Sequence, residues 1–318
     1  MVNWQPGATL DTLEKRAELI MQLRQFFTQK NVLEVETPVL AGAPVTDLHI
    51  QSFATEFEVD TGKRMLYLQT SPEFAMKRLL AAHSNPIYQI GKVFRQDPIS
   101  KQHNPEFTML EWYRPGFSLD QLMDEVSELL LSLLNCDSIK RFTYRELFEN
   151  YLDINPHNIE SEELAALARE KIELSADEFN DTDYLQLLMS AIIEPQLPAL
   201  CFVYNYPQEQ ACLSVIEESD QKDLVGRRFE VYCQGMELAN GFLELLDAEE
   251  QRQRFASDNA AREKNGLEAV PIDEKFLAAL AAGMPACSGV ALGVDRLLMA
   301  MHGINDIDQA MSFTTQRA

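Results

Sequence analysis

One stretch limits the fold of this chain more than any other. It runs Val93-Phe94-Arg95-Gln96-Asp97 and resumes at His103-Asn104-Pro105-Glu106-Phe107-Thr108-Met109-Leu110-Glu111-Trp112-Tyr113-Arg114. It reads as two apolar strands of period two, joined by a polar loop that carries Pro98 and Ser100. Residues two apart in a strand share a face, so Phe107, Met109, Glu111 and Tyr113 are expected on one surface. Arg95, ending the first strand, would aim a fixed fork of donors at an anion held there. Such a surface suits a site that binds a phosphate and an amine together. Strands cluster as hairpins around 87–114 and 200–245, with helices between and after, not as alternating βαβ units. The pattern predicts an α+β fold with a central antiparallel sheet and helices packed outside it.

Other segments carry comparable detail. Thr12 is placed to cap a helix running to about Gln29, with Leu13, Ala17, Ile20, Leu23 and Phe27 at helical spacing. A strand over 32–38 comes next, and Pro38, lacking a ladder donor, suits its end or an edge. Near the C-terminus, Ser288-Gly289-Val290-Ala291-Leu292-Gly293-Val294-Asp295-Arg296-Leu297 is a glycine-interrupted strand entering an apolar helix. Glycines inside a strand mark close approach of a ligand, and Arg296 at the helix start could hold a phosphate with the backbone donors. The runs 228–232 and 235–244 read as successive strands that place Asn240, Phe242 and Glu244 on one face. Thr70-Ser71-Pro72-Glu73 reads as a strand-to-helix turn, where an acid also complements the helix dipole.

In their order, the helix–strand at 12–38, the hairpin at 87–114 and the strand–helix at 288–301 resemble motifs 1, 2 and 3 of the class II aminoacyl-tRNA synthetases. The form is that of the lysyl-tRNA synthetases, and the likeness spans about 12 to 315. The resemblance implies the class II catalytic fold, ATP and Mg²⁺ as cofactors, and a homodimer built on motif 1. It implies catalytic roles for Arg95, on the α-phosphate and the substrate carboxylate, and for Arg296, on the γ-phosphate. It places Gln96, Asp97, Asn104, Glu237, Leu238 and Gly293 against ATP, and Glu230 and Glu237 on Mg²⁺. Ser71, Pro72, Glu73, Glu111, Tyr113, Asn240, Phe242, Glu244 and Ala291 would bind the amino acid. These residue types suit such ligands, since Mg²⁺ bridging phosphates takes one or two hard carboxylates and keeps waters, and a lysine ammonium needs acceptor oxygens. Two positions depart from the family pattern. Ala291 stands at the middle glycine of motif 3, where a methyl reshapes the space beside the substrate amine. Gln96-Asp97 replaces the usual Asn-Glu and shortens the acid by a methylene.

A lysyl-tRNA synthetase carries an anticodon-reading OB-fold barrel before motif 1. Here motif 1 begins almost at once, so no such domain is expected, and 1–318 reads as a single catalytic domain. A net charge of −23, from 27 basic and 50 acidic residues, points away from the basic face that nucleic-acid binding needs. A free-standing lysyl-type core of this kind resembles the elongation factor P–lysine ligases of bacteria, which activate β-lysine with ATP. They transfer it to the ε-amine of a lysine on elongation factor P. That likeness implies lysine or (R)-β-lysine as substrate, elongation factor P as partner, and no anticodon-dependent tRNA binding. Two other readings stay open: a stand-alone lysyl-type ligase acting on tRNA or a small amine, and a non-catalytic synthetase-like subunit. The last would be expected to lose a motif arginine or a metal glutamate, and this chain keeps all four.

The five cysteines, Cys136, Cys201, Cys212, Cys233 and Cys287, are scattered without a Cys-x-x-Cys. With no signal peptide or long apolar segment, a reduced cytoplasmic protein is expected, away from membranes. The five histidines form no ligand pair, so no zinc site is expected. His103, beside Asn104 in the motif 2 loop, is near the expected nucleotide. The acidic stretch at about 155–194 reads as a helical insertion, with helices over 161–171 and 183–194 and a solvated charged face.

Overall fold

The computed structural model describes residues 4–60, 62–173 and 179–318. The chain forms two compact units, one of residues 1–118 with 245–318 and the other of residues 119–244.

The first unit opens with α1 (Leu10–Gln29). Its N-cap is Thr9, not Thr12: the Thr9 Oγ1 accepts the Thr12 backbone N–H at 3.2 Å. The helix buries Leu19, Leu23 and Phe27, while Ala17 lies exposed and Ile20 half-buried. The chain continues through β1 (Leu33–Glu34), β2 (Leu40–Ala41), β3 (Ala54–Val59), β4 (Gly62–Leu68), α2 (Glu73–His83), β5 (Ile87–Phe94) and β6 (Glu106–Pro115). The expected strand over 32–38 is only the two residues of β1, and Pro38 lies beyond it.

The second unit holds α3 (Leu119–Leu133), β7 (Lys140–Thr143), α4 (Tyr144–Leu152), α5 (Ser161–Lys171), α6 (Asp181–Leu188), β8 (Leu200–Pro207), β9 (Ile216–Glu218), β10 (Leu224–Cys233) and β11 (Met236–Leu243). The chain then returns to the first unit for α7 (Ala248–Lys264), α8 (Glu274–Gly283), β12 (Cys287–Gly293) and α9 (Val294–His302).

In the first unit the strands run β1-β5-β6-β12, with β5–β6 and β6–β12 antiparallel and β1–β5 parallel. A separate antiparallel sheet is ordered β2-β4-β3. In the second unit the order is β11-β10-β8-β7, with β9 beside β10; only β7–β8 is parallel. This is the expected α+β class with antiparallel pairing dominant.

Register in the first unit decides which side chains can meet. Directly paired residues project to the same face, so Gln89, Glu111 and Ala291 form one row across β5, β6 and β12. Ile87, Tyr113 and Gly289 form the next row, and Gly91, Met109 and Gly293 the one on the other side. The opposite face sends Tyr88 and Trp112 into the core, where Phe27 stacks on Tyr88 at 4.4 Å and meets Trp112 at 5.2 Å. Helix α1 is thereby docked on the back of the motif 2 strands.

The acidic insertion is helical. Helix α5 has the expected span, and the second helix breaks early: α6 ends at Leu188, and one π turn (Met189–Ile193) and a 3₁₀ turn (Glu194–Gln196) come after it. Residues 174–178 of this segment lie outside the described residues. Thr143 with Glu146 and Asn180 with Asp183 form capping boxes that start α4 and α6. The insertion buries Leu164, Ala168, Tyr184, Leu185 and Ile193 against Tyr144 and Phe148 of α4 and against Cys201, Val203, Tyr206 and Tyr232 of β8 and β10.

Candidate active site

The first unit gathers one set of the expected residues around Glu111. This carboxylate is buried. Its Oε1 accepts the Tyr113 hydroxyl at 2.6 Å and its Oε2 accepts the Ser71 hydroxyl at 2.7 Å. Ser71 Oγ in turn accepts the Glu73 backbone N–H at 3.0 Å, satisfying an orphan donor of the first turn of α2. Glu73 pairs with Lys77 one turn on, at 2.6 Å, and the Lys77 side chain is fully buried beneath the Phe276 ring. Burial pushes the Glu111 carboxyl up to about 7, with the Glu73 charge adding to the rise. The bonds from Tyr113 and Ser71 and the charge of Lys77 work against it. A buried acid with a raised pKa in contact with other titratable groups marks a candidate functional site, and two neighbouring acids offer acceptor oxygens to a cationic amine.

The residues expected against phosphate lie beyond the strand ends of the same unit. Arg95 comes directly after β5; its Nε donates to the Thr70 carbonyl at 3.3 Å, and its guanidinium lies 5.3 Å over the Phe107 ring. Arg95 and the Ser71–Glu73 turn are therefore neighbours. Gln96 donates through its backbone to the Gln51 carbonyl at 2.9 Å and through Nε2 to the Ser52 carbonyl at 2.7 Å. Asp97 is half-buried. Asn104 is occupied at both ends, its Nδ2 donating to Glu106 O at 2.6 Å and its Oδ1 accepting the Thr315 N–H at 3.0 Å. It ties the loop to the end of the chain and keeps one N–H over.

Arg296 sits in the first turn of α9, where Nη2 meets His103 Nε2 at 2.8 Å and Nε donates to the Gln102 carbonyl at 3.3 Å. Arginine only donates, so His103 Nε2 accepts and the ring is neutral, its Nδ1–H directed to Ser100 Oγ at 2.9 Å. The His103 pKa is lowered, first by burial and then by the charge of Arg296. Gly293 caps α9 in the extended region. Asp295, two residues on, is buried and fixed: Oδ2 accepts the Thr108 N–H at 2.6 Å, and Oδ1 accepts Arg16 of α1 at 2.7 Å. Arg16 also donates to Thr108 Oγ1 at 2.8 Å, so one side chain of α1 braces both β6 and the turn before Arg296.

The second unit gathers the remaining expected residues around Arg228. Its Nη2 donates to Glu230 Oε1, its Nε to Asn240 Oδ1 at 3.1 Å, and its Nη1 to the Gln210 carbonyl at 3.0 Å. The guanidinium lies 4.5 Å from the Tyr206 ring and 6.0 Å from Phe242. Burial lowers the Arg228 pKa, but the Glu230 charge outweighs it and the net shift is upward. Glu230 Oε2 accepts two hydroxyls, Tyr206 at 2.7 Å and Tyr232 at 2.6 Å. Both tyrosines are raised well above their ordinary value, first by burial and then by that carboxylate. Glu237 is half-buried and pairs with Tyr232 across a bulge; Leu238 is buried beside it. Glu244 is buried and bridges to Ser214.

The donor chemistry at Glu230 and Glu237 is compatible with a hard divalent cation. Both are carboxylates on one side of β10–β11, and Glu230, with three of its four lone pairs taken, keeps one on Oε1. Ligating carboxylates are commonly held by just such outer hydrogen bonds. Among the described residues no group of three or more His, Cys, Asp or Glu stands ready for a metal, so phosphates and waters would complete the shell.

Several residues of the site have no place among the sequence expectations. Arg228 stands two before Glu230 on the same strand, and Lys77 four after Glu73 on one helix, so period alone carries a signal for both. Arg16 carries no such signal, because its partners lie 92 and 279 positions away.

The chain matches the family of class II tRNA synthetases (D, K and N) over residues 3–317. Among its relatives is the elongation factor P–(R)-beta-lysine ligase of Proteus mirabilis, 49% identical over 326 residues that cover 100% of this chain and 99% of the relative. Proteins of the same name from Haemophilus influenzae (strain PittGG) and Mannheimia succiniciproducens are each 48% identical, with 99% of this chain and 98% of the relative covered.

Proposed function

The chain belongs to the class II tRNA synthetases of the D, K and N group, and we propose that it is an ATP-dependent, AMP-forming ligase within it. It activates (R)-β-lysine, or lysine, and joins it to the ε-amine of a lysine on elongation factor P. The observation that carries this reading is the Glu111 cluster: a buried, near-neutral carboxylate beside Glu73 and Lys77, in the same unit as the two phosphate-directed arginines. The full-length likeness to ligases of that name supports the choice of acceptor. We read 1–318 as one catalytic domain with the insertion at 155–194. It acts in the cytoplasm as a homodimer through α1, where Ala17, Ile20, Met21 and Arg24 line a shallow depression of about 400 Å³.

In the first step a substrate carboxylate oxygen attacks the α-phosphorus of ATP. The bond to pyrophosphate breaks, and an aminoacyl-adenylate forms. The protein's part is placement and charge neutralisation. Arg95 faces the α-phosphate and the carboxylate. Arg296 exchanges His103 and the Gln102 carbonyl for the γ-phosphate. Gln96, Asp97, Asn104 and Gly293 hold the nucleotide, and in the second unit Leu238 is assigned to it. Glu111, Glu73, Ser71, Pro72 and Tyr113 orient the amine, with Ala291 shaping the space beside Glu111. In the second unit Asn240, Phe242 and Glu244 are assigned to the amino acid. Glu230 and Glu237 are assigned to Mg²⁺, which when bound neutralises phosphate oxygens. In the second step the neutral acceptor amine attacks the carbonyl carbon. An amide forms, the bond to AMP breaks, and the amine proton is released.

Mass spectrometry of elongation factor P after incubation with this protein, ATP, Mg²⁺ and (R)-β-lysine tests the reading. One added lysyl mass on a single lysine is expected. An unshifted mass with ATP–pyrophosphate exchange still running would overturn the acceptor and leave the activation chemistry standing.

A further inference from the structure

The row that holds Glu111 has a third polar claim on the substrate. Gln89 is the direct cross-strand partner of Glu111, so its side chain rises from the same face, with Ala291 on the far side of Glu111. It is 6% exposed, and its Oε1 is buried with no hydrogen-bond partner among the described residues. Leaving a buried amide oxygen unpaired is destabilising, and native structures rarely keep such a group without a use for it.

The neighbouring glycine shapes where this amide lies. A Cβ on Gly91 would come within 3.2 Å of Gln89 Nε2. The Gln89 side chain therefore folds along the strand over Gly91, from the Glu111 row toward the Arg95 end of β5. Glu111 itself already takes one hydroxyl on each oxygen. A primary ammonium has three donors to place, and a neutral acceptor beside the acid satisfies one without adding charge.

We propose that Gln89 is a substrate-binding, specificity-determining residue, its amide oxygen accepting an N–H of the amino acid's ammonium alongside Glu111. The floor of the amine site is then the row Gln89–Glu111–Ala291: a neutral acceptor, a carboxylate and a methyl. This deepens the ligase reading and rests on it for the identity of the amino acid.

The test compares wild type with Gln89→Leu, which removes the acceptor at similar volume, and with Gln89→Met should the first variant fold poorly. Two readouts are used: ATP–pyrophosphate exchange with (R)-β-lysine and L-lysine, and calorimetric binding of 1,5-diaminopentane without ATP. The proposal expects KM for the amino acid to rise tenfold or more and diamine binding to weaken alike, with the KM for ATP and the melting temperature unchanged. An amino-acid KM and a diamine affinity both within twofold of wild type would overturn it. So would a lowered melting temperature with both KM values raised, since that marks packing alone. If wild type showed no exchange with any lysine isomer but bound the diamine in a Gln89-dependent way, the ligase reading would fall and Gln89 would stand.

Discussion

Glu111 links fold stability and its proposed role in amine binding to pH with opposite signs. Its carboxyl is raised to about 7 in the folded chain, chiefly by burial, against about 4.3 in an unfolded one. A group whose folded pKa is raised stabilises the fold at low pH, and that contribution is lost as pH climbs through the folded value. Pairing with an ammonium needs the ionised form, so binding moves the other way. We therefore expect kcat/KM for the amino acid to rise up to about tenfold per pH unit below 7 and level off above it. In Glu111→Gln the slope should vanish, and the variant should lose less melting temperature than wild type between pH 5 and 8. A pH–rate profile and paired thermal scans check both signs; parallel curves for the two proteins would refute the assignment. Arg228 is the opposite case, a side chain that matters through what it holds. Arg228→Ala strands a buried Glu230, an error worth about 3–5 kcal/mol. Tyr206→Phe removes one of the bonds to that carboxylate and should cost about 1.5–3 kcal/mol, both read from urea unfolding.

Elements are legible where one period can mean only one thing. The motif 2 hairpin, β10 and β11 are expected as strands and form as strands, β5 pairing with β6 and β10 with β11, whereas the pairing of Glu111 with Ala291 joins segments 180 positions apart and carries no local signal. Helix α1 is harder. Leu13, Ala17 and Ile20 keep helical spacing as well as Leu19, Leu23 and Phe27 do, and only the ring contacts at Tyr88 and Trp112 say which stripe is inside. Its cap is easily misplaced because Thr9 and Thr12 are both good caps three residues apart. Tertiary straps leave no sequence signal at all. Arg262 of α7, nearly buried, donates to Glu268 O at 3.0 Å, Asp47 O at 3.1 Å and Gln51 Oε1 at 3.2 Å. Gln51 and Ser52 in turn receive both bonds from Gln96, so a helix far along the chain fixes the segment that positions the motif 2 loop. A lysine cannot reach three acceptors in a fork. Arg262→Lys should raise the KM for ATP about tenfold, a 1.4 kcal/mol effect, and leave that for the amino acid alone; steady-state exchange kinetics with each substrate varied decide it, and equal changes in both would mean general loosening.

At the scale of the whole chain the sharpest question is whether a member of a tRNA synthetase family with this charge balance binds tRNA at all. Affinity for a polyanion comes mainly from lysines and arginines that release its counterions. This chain carries a net charge of −23, so its mean field repels tRNA before any contact forms. Repulsion at distance is screened beyond about 8 Å at physiological salt, and a compact basic patch could still capture a stem. Yet many of the arginines here are spoken for. Arg16, Arg24, Arg141, Arg145, Arg228, Arg252, Arg254 and Arg317 are each paired with a carboxylate. A paired arginine brings little net positive charge to a phosphate. The adenylate chemistry asks only for ATP, an amino acid and a nucleophilic amine, and none of these needs a basic face. We therefore expect lysine tRNA to bind more weakly than about 10⁻⁴ M at ~150 mM salt, the weak end of non-specific association. The adenylate should then pass to a protein amine and not to a tRNA 3′ end. Filter binding across a salt series, with acid-gel analysis of any charged tRNA, is the check. Micromolar binding that falls steeply with salt, or appreciable charging, would return the chain to the tRNA-directed branch of its family.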